Sequence, residues 1–190
     1  MWFKFIKTKI PELIIIEPQV FWDERWFFME TYSKKAFQEN WINIDFIQDN
    51  HSKSKKWVLR GLHFQYINPQ DKLVRVVSGA VYDVAVDVRK WSPTFWQWVW
   101  VYLSAENKKQ FFIPKWFAHW FLTLEDNTEF VYKVSDYYNS NWEWGYMWNE
   151  PAFWIFWNEI FEKYWIKKPI LSEKDKNYKP FSKGNTYFNY

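Results

Sequence analysis

Histidine side chains are the groups in this sequence best suited to proton transfer near neutral pH. The chain has three of them, His51, His63 and His119. In the segment "RGLHFQ", strand alternation places His63 on the same face as Gly61 and Gln65, with an arginine nearby. A neutral imidazole there can accept a proton, although a lone histidine in an apolar strand is more often a hydrogen-bonded structural residue. The residues alone therefore make His63 a candidate base and leave the structural role open.

Metal binding is the other chemistry that histidines support. Zinc and other transition-metal sites combine several closely spaced histidine, cysteine or carboxylate ligands. This chain has no cysteine, and His63 has no second histidine at His-x-His spacing. The sequence therefore predicts no metal site, and it excludes a cysteine nucleophile and a disulfide framework.

The elements that must position these groups are predicted to be short β-strands. In "AVYDVAVDVR", residues Tyr82, Val84, Val86 and Val88 share one face, while the residues between them share the other. Helical signals are few: "SKKAFQEN" with Ser33 as N-cap, a single turn from Ser104, and "NEIFEKYW" near the end. Many short strands with little helix indicate an all-β sandwich, barrel or jelly roll.

Length and composition set wider bounds. The 190 residues suit one domain over 1–190, with a C-terminal tail, about 176–190, that is expected to be the least ordered part. The 25 basic and 22 acidic residues are interspersed, and the aromatic residues fit strand cores better than base stacking, so no nucleic-acid partner is expected. No apolar run approaches the roughly 20 residues of a membrane span, so we expect a soluble, cytoplasmic protein without a membrane partner.

Tryptophan and glycine occur in unusual proportions. The chain has 17 tryptophans and 4 glycines, whereas average glycine usage of about 7% would give roughly 13. Segments such as "FWDERWFF", "RKWSPTFWQW" and "NSNWEW" place tryptophan among the polar residues and prolines that mark turns. Such turns often need a positive φ, which glycine adopts without steric cost and tryptophan does not. Local chemistry therefore favours glycine at positions where the sequence has tryptophan.

A series of longer motifs connects the chain to a known family. The motifs are "FWDERWFFMETY", "WVLRGLHFQ", "KLVRVVSGAVYDVAVDVR", "SPTFWQW", "LSAEN", "IPKWFAHWF", "YKVSDYY" and "WNEP". In this order, from about Phe21 to Asp175, the sequence resembles the dTDP-4-dehydrorhamnose 3,5-epimerase family of the cupin superfamily. The resemblance implies a cupin-type jelly roll, a double-stranded β-helix barrel, with a few short helices.

The same resemblance implies a reaction without a cofactor. It is the epimerisation of dTDP-4-dehydro-6-deoxy-D-glucose at sugar carbons 3 and 5 to dTDP-4-dehydro-L-rhamnose, a step of dTDP-rhamnose biosynthesis. The protons on carbons beside a ketone are acidic, because the resulting carbanion delocalises onto oxygen as an enolate. The reaction needs a base, a group that stabilises the enolate oxygen, and an acid on the opposite face.

Four residues match the catalytic positions of the family. His63 corresponds to the base, and Asp175 in "LSEKD" to the carboxylate that orients it and stabilises its charged form. Lys72 corresponds to the group that stabilises the enolate. Tyr132 in "FVYKV" corresponds to the proton donor, although without the resemblance it would be taken for a core tyrosine. Asp83 is expected to be structural. It is also the next candidate for a residue that contacts Lys72 or His63 and supports its function.

Further residues are expected, by resemblance, to bind the nucleotide sugar. They are Arg25, Glu30, Gln48, Asp49, Asn50, Arg60, His119, Tyr138, Glu143 and Lys174. Arg60 suits a bidentate grip on phosphate oxygens, and Tyr138 suits stacking on the thymine ring. The resemblance also implies a homodimer in which the N-terminal strand carrying Arg25 and Glu30 contributes to the partner's site. The alternative for these two residues is an exposed ion pair across a turn.

The departures from the family pattern concern one residue type. The family pattern has glycine where this chain has Trp26, Trp57, Trp91, Trp96, Trp100, Trp116, Trp120 and Trp154, and glycine would also be natural at Trp22 and Trp41. By contrast, Trp98, Trp148 and Trp157 stand where the family itself tends to have tryptophan. We hypothesise that UGA codons, read as glycine in the source organism, were translated here as tryptophan. The alternative is a divergent, naturally tryptophan-rich member.

Two other functions stay open at this point. One is a related enzyme that epimerises a single carbon or isomerises the ketone of a similar nucleotide sugar, since such enzymes share the base and the acid. The other is a sugar-binding cupin without turnover, against which the joint presence of the four catalytic residues argues.

Overall fold

The structure, a computed structural model, describes residues 2–151, 157–180 and 188–189. The strands in these ranges are β1 (Phe3–Lys7), β2 (Ile14–Pro18), β3 (Val20–Asp23), β4 (Trp26–Met29), β5 (Gln48–Ser54), β6 (Leu59–Gln65), β7 (Lys72–Ser78), β8 (Ala80–Asp87), β9 (Arg89–Lys90), β10 (Trp98–Ser104), β11 (Gln110–Ile113), β12 (Phe117–Thr123), β13 (Thr128–Val134), β14 (Glu143–Gly145) and β15 (Phe188–Asn189). The helices are α1 (Lys34–Glu39), α2 (Trp157–Lys163) and α3 (Glu173–Lys176), with a 3-10 turn at Ser140–Trp142. None of the described helices is long and apolar enough to cross a membrane.

Two antiparallel sheets form the body of the molecule. The larger sheet has the order β1-β2-β11-β7-β13-β5, and the smaller has the order β10-β8-β12-β6-β14. From β5 to β8 and from β10 to β14, consecutive long strands mostly alternate between the two sheets. Two facing antiparallel sheets connected in this way are the arrangement expected of a jelly roll. Besides "AVYDVAVDVR", the alternation predicts strands at "VLRGLHFQ", "KLVRVVSG", "QWVWVYL", "QFFIP", "FAHWFLTL" and "TEFVYKVSDY", and each of these segments contains an observed strand.

Strand β8 shows how the sequence pattern sorts side chains between two cores. Val84 and Val86 pack on the outer face of the smaller sheet, in the cluster that also contains Tyr82. Val81 and Ala85 belong instead to the cluster between the sheets. The predicted alternation is therefore confirmed, and the strand is buried along its whole length because both faces are covered.

Short helices cover the outer faces of the two sheets. Helix α1 begins after Ser33, whose hydroxyl accepts a hydrogen bond from the Ala36 N–H, as predicted for an N-cap. Its Phe37 packs on the outer face of the larger sheet with Phe3 and Phe112. On the smaller sheet, Ile160 and Ile166 from α2 and the segment after it pack against residues such as Leu62 and Leu122.

The C-terminal residues are partly ordered against the sandwich. Phe188 and Asn189 pair in parallel with β9. Phe188 is 7% exposed and contacts the ring of Phe64. Residues 181–187 and 190 of the predicted tail lie outside the described residues.

A bulge in β6 changes which of its side chains share a face. Pairing with β12 matches His119 to His63 but Phe121 to Arg60, so β6 has one residue more than its partner in this interval. Gly61 lies in the bulge with φ +114°, and a Cβ there would be 2.4 Å from the His119 carbonyl oxygen. Strict alternation would put Arg60 and His63 on opposite faces, and the extra residue turns both toward the same cavity.

Positive φ angles coincide with many of the suspect tryptophans. Within the described residues they occur at Trp26, Trp41, Trp57, Trp91, Trp96, Trp116 and Trp165. The first six were singled out from the sequence, and Trp165 was not. Trp22, Trp100 and Trp120 do not have positive φ, and Trp154 lies outside the described residues.

Two of these tryptophans place part or all of the indole ring inside the protein. Trp57 buries an indole N–H that makes no hydrogen bond within the described part of the chain, which is unfavourable for a polar group. Trp120 is fully buried, and its ring stacks on Tyr82. The backbone therefore supports the glycine hypothesis most directly where φ is positive.

Replacing Trp91 by glycine is expected to stabilise the protein. Trp91 has φ 69° and is 76% exposed, so the change relieves a left-handed conformation and removes little buried surface. A relief of about 1 kcal/mol in the free energy of unfolding is expected, because a non-glycine residue in this region is disfavoured by about that amount. Urea unfolding measures it.

The matched control is Trp22→Gly. Trp22 is similarly exposed but lies in strand β3 without a positive φ, so glycine there should lower stability. Loss of stability in Trp91→Gly would contradict the interpretation of the backbone. Independently, UGG codons at Trp26, Trp116 and Trp120 in the coding DNA would contradict the recoding hypothesis.

Candidate active site

A cavity of about 620 Å³ lies between the two sheets. Its volume falls in the range of small-molecule sites. Of the residues predicted from the sequence, it is lined by Asn50, Arg60, His63, Lys72, His119, Tyr132, Tyr138, Glu143, Lys174 and Asp175. The fold therefore brings together residues from β5, β6, β7, β12, β13, β14 and α3.

His63 is held at one ring nitrogen by Asp175. Its Nε2 lies 2.6 Å from Asp175 Oδ1. Burial by itself would raise the pKa of Asp175, but hydrogen bonds from His63, from Ser172 and from the Gly61 backbone keep that pKa below its usual value. The carboxylate is therefore ionised near neutral pH, where it fixes the imidazole and stabilises a positive charge on it.

A short helix brings Asp175 to this position. Ser172 is the N-cap of α3; its hydroxyl accepts from the Asp175 N–H and donates to Asp175 Oδ2 at 2.7 Å. Ile170, which lies two residues before Ser172, is anchored to the sandwich by its backbone. The Ile170 N–H donates to the Trp57 carbonyl, and the Ile170 carbonyl accepts from the Leu59 N–H. The C-terminal segment thus runs along the start of β6 before presenting its carboxylate.

Glu143 occupies the other side of the imidazole. Its Oε1 lies 3.3 Å from His63 Nδ1, while its second oxygen accepts from Lys174 at 2.6 Å and from the Tyr138 hydroxyl at 2.5 Å. Burial opposes ionisation of Glu143, but His63, Lys174 and Tyr138 together lower its pKa. The Nδ1 edge of His63 therefore faces the cavity beside a second carboxylate.

Lys72 is a buried cation in the cavity wall. Its ammonium donates to the Gln70 carbonyl at 3.3 Å. Burial lowers the pKa of Lys72 to about 8, against the opposing influence of Asp71 and Glu143. A charge with so little hydration acts strongly on any negative charge that develops nearby.

Tyr132 lies on the opposite sheet from His63. It belongs to β13 of the larger sheet, and His63 belongs to β6 of the smaller one, so the two side chains approach the cavity from opposite sides. Burial raises the pKa of Tyr132, although the positive charge of Arg60 works in the other direction. The phenol is therefore protonated at neutral pH and can donate.

The carboxylate of Asp83 pairs with His119, and not with Lys72 or His63 as considered from the sequence. Its two oxygens lie 3.0 and 2.9 Å from His119 Nε2. Burial raises the pKa of Asp83, and the imidazole lowers it in part. The supporting role at Lys72 or His63 was therefore wrong, because the β8–β12 register aligns Asp83 with Phe121, two residues from His119 on the same face of its strand.

The remaining predicted residues lie outside the cavity lining. Gln48 is nevertheless adjacent, since its side chain donates to Asn50 and accepts from the Tyr138 N–H. Asp49 points to the other face of β5, where it pairs with Lys133 at 2.9 Å. The other two belong to the β3–β4 hairpin and the residue after it: Arg25 is exposed and pairs with Asp23 at 2.6 Å, and Glu30 is partly exposed.

Some cavity residues were missed by sequence reasoning. Gln70 orients Lys72, and Ser172 orients Asp175. A signal for Ser172 existed, because serine followed by acidic residues in "LSEKD" is typical of a helix N-terminus. The apolar lining by Phe121 and Phe130 cannot be distinguished from ordinary core by its alternation.

No group of three or more histidine, cysteine or carboxylate side chains is arranged to hold a metal ion within residues 2–151, 157–180 and 188–189. The polar groups of the cavity are instead engaged in pairs of opposite charge or in hydrogen bonds. The geometry supplies an imidazole, a phenol and an ammonium around one cavity. These groups suit proton transfer at a carbon whose negative charge is taken up by an oxygen.

Fold and cavity together define a cupin-type sugar-nucleotide epimerase. The model of the family described as dTDP-4-dehydrorhamnose 3,5-epimerase matches residues 7–183, and the chain belongs to this family. It is 54% identical over 172 residues to the dTDP-4-dehydrorhamnose 3,5-epimerase of Salmonella typhimurium, covering 90% of this chain and 91% of the relative. The corresponding protein of Shigella flexneri is 51% identical over 179 residues, covering 93% and 94%.

Solved structures agree with the fold. A dTDP-6-deoxy-D-glucose-3,5-epimerase from Legionella pneumophila, in complex with dTDP-4-keto-L-rhamnose, superimposes with a TM-score of 0.87 at 46% identity over 94% of this chain and 92% of its own. A 3'-monoepimerase from Streptomyces bikiniensis, in complex with dTDP-quinovose, superimposes with a TM-score of 0.83 at 30% identity over 92% and 86%. The predicted family and cupin-type fold are confirmed.

Removing the buried charge of Lys72 is expected to stabilise the fold. Because the pKa of Lys72 falls from 10.5 to about 8 on folding, the charged group disfavours the native state below pH 8. Lys72→Met should raise the free energy of unfolding at pH 7 by up to about 3 kcal/mol, the equivalent of that shift. The favourable influence of Asp71 and Glu143 on the cation is already contained in that pKa of about 8.

The pH dependence identifies the cause. Between pH 8 and 10.5 the unfolded wild-type chain binds the extra proton, so wild-type stability rises with pH through this group and the advantage of Lys72→Met shrinks. Urea unfolding at several pH values measures the free energy of unfolding of the wild type and of Lys72→Met. Lys4→Met, at a position 72% exposed, should change stability by no more than about 0.5 kcal/mol. An advantage that grows above pH 8 would contradict this interpretation.

Proposed function

We propose that this protein epimerises dTDP-4-dehydro-6-deoxy-D-glucose at carbons 3 and 5 to give dTDP-4-dehydro-L-rhamnose, as its relatives are named for doing. The observation that carries the proposal is the placement of His63 and Tyr132 on opposite sheets across one cavity, with Lys72 in its wall. Epimerisation requires removal of a proton from one face of a carbon and delivery to the other. A single base on one side and a single acid on the other meet that requirement.

The base in this mechanism is His63 Nδ1. Asp175 occupies Nε2 at 2.6 Å, which leaves Nδ1, 3.3 Å from Glu143 Oε1, as the nitrogen that can take a proton from the substrate. When Nδ1 takes the proton from the sugar carbon, the imidazole becomes positive between the carboxylates of Asp175 and Glu143. Both carboxylates stabilise that charge, and the electron pair of the broken C–H bond moves onto the ketone oxygen.

The enolate oxygen is stabilised by the ammonium of Lys72. Its positive charge is buried, so it needs little reorganisation when the negative charge develops. Tyr132 then delivers its phenolic proton to the opposite face of the carbon, and the enolate returns to the ketone. The charge of Arg60, which favours the tyrosinate, assists this transfer.

The nucleotide portion is assigned to the mouth of the cavity. Arg60 is an exposed cation at the cavity edge, donates to Ser54 at 3.1 Å, and suits a bidentate grip on phosphate oxygens. Tyr138 is 52% exposed and could stack on the thymine ring. His119 and Lys174 complete the predicted polar contacts around the sugar and phosphates.

Replacement of His63 by alanine tests the function. Wild-type protein incubated with substrate in deuterated water should incorporate deuterium at both carbons 3 and 5, as followed by NMR. His63→Ala should lower the rate at both carbons by at least about 10²-fold, the lower range for loss of a general base. Tyr102→Ala is the control, since Tyr102 lies on the edge strand β10 and lines neither this cavity nor the smaller one beside Asn50.

The outcomes separate the alternatives. Exchange at one carbon only would indicate a single-carbon epimerase like the monoepimerase with which the fold also agrees. Substrate binding without exchange at either carbon would indicate a non-catalytic sugar-binding protein. Full activity in His63→Ala would contradict the mechanism.

We further propose that the protein acts as a homodimer. The β3–β4 hairpin pairs only with itself among the described strands and exposes Phe21, Phe27 and Phe28. Neighbouring exposed apolar side chains of this kind favour a protein interface. A second cavity of about 380 Å³ opens beside Asn50 and Tyr132, which line both cavities, and offers a place where a partner's hairpin would reach the site.

Mixing two inactive variants tests the shared site. Arg25→Ala removes the hairpin cation, and His63→Ala removes the base, so each homodimer should be impaired at both sites. A hybrid dimer would keep one site with both residues, and an equimolar mixture refolded together should regain about a quarter of wild-type activity by random pairing. A mixture no more active than the average of its parents would place Arg25 outside the partner's site.

A further inference from the structure

The ring of Tyr178 lies against the proposed base. Its centroid is 5.5 Å from that of His63, and the two planes are inclined by 60°. Tyr178 is absent from the residues that line the large cavity. It therefore contacts the imidazole without lining the space that a substrate would occupy.

A glycine makes room for this contact. Gly145 on β14 is paired in register with His63 on β6. A Cβ on Gly145 would lie 2.6 Å from Cζ and 2.7 Å from Cε2 of Tyr178. The tyrosine ring therefore packs on the backbone of Gly145, which is paired with His63 on the β14 side of β6.

The same short segment carries Tyr178 and Asp175. Helix α3 ends at Lys176, and the N–H of its C-cap Asn177 donates to the Lys174 carbonyl. Tyr178 follows at once, so the segment first offers a carboxylate to Nε2 of His63 and then an aromatic ring to the same imidazole.

The two contacts restrain different motions of the imidazole. The hydrogen bond to Asp175 holds the Nε2 end of the ring, but the torsion about the Cβ–Cγ bond of a histidine has broad minima. An aromatic ring packed at 60° limits that rotation and keeps Nδ1 directed into the cavity. Burial and the nearby carboxylates of Glu143 and Asp175 raise the pKa of Tyr178, so its phenol is neutral.

We propose that Tyr178 is a positioning residue that holds His63 in the orientation needed for proton abstraction. The proposal rests on the proposed role of His63 as base. It assigns the effect to the aromatic ring of Tyr178 and gives no part to its hydroxyl group.

Steady-state kinetics of three variants test the proposal. Tyr178→Ala should lower kcat by about 10-fold or more, because small misplacements of a reacting group reduce rates by up to about 10²-fold, and should leave KM within about twofold. Tyr178→Phe should keep kcat within about twofold of wild type, because the ring remains. Tyr102→Ala is the matched control: Tyr102 lies on β10, the edge strand separated from β6 by two other strands.

Each outcome decides the matter. Wild-type kcat in Tyr178→Ala, a change in KM alone, or an equal loss in Tyr178→Phe would overturn the proposal. If Tyr178→Ala has no cooperative thermal transition, Tyr178→Leu replaces it; this variant keeps apolar bulk without a planar ring, and a fall in kcat at constant KM is again expected. His63→Ala is measured alongside: retained activity there refutes the proposed function, whereas an inactive His63→Ala with an unaffected Tyr178→Ala refutes only the positioning role.

Discussion

The hydrogen bond between His63 Nε2 and Asp175 Oδ1 joins two parts of the chain that are 112 residues apart, and the geometry of the site depends on it. Helix α3 is far too short to be stable alone. It is fixed by its serine cap, by the backbone hydrogen bonds of Ile170 and by the carboxylate contact itself. The sandwich thus supplies the imidazole, and the C-terminal segment supplies the carboxylate that holds its Nε2.

The charges of the cavity are arranged in compensating sets. Glu143 lies between His63 and Lys174, and Lys72 is near enough to Glu143 and Asp71 for both to favour its protonation. Burial opposes each of these charges, and the opposite charges offset that effect only in part for the lysine. The resulting site holds ionised groups that are partly or fully buried, and a fixed buried charge acts more strongly on an enolate than a hydrated one does.

The sequence was sufficient for most of the long strands, because alternation decides which side of a strand is buried, and the resemblance to the family supplied most of the cavity residues. It was not sufficient for the bulge at Gly61, since one extra residue in a strand leaves the alternation on each side intact. The pairing of Asp83 with His119 and the contact of Tyr178 with His63 depend on register and on a distant segment. The motifs alone carry no such distances.

The bulge in β6 has a consequence for which substrates can react. Arg60 and His63 are three residues apart on one strand, so their backbones are separated by at most about 10 Å. A strand buried between neighbours cannot lengthen or shorten appreciably. If Arg60 binds a phosphate, β6 fixes the distance between that phosphate and the carbon whose proton is removed. Sugars whose anomeric linkage is longer or shorter than a diphosphate ester would then bind with the wrong atom beside the imidazole.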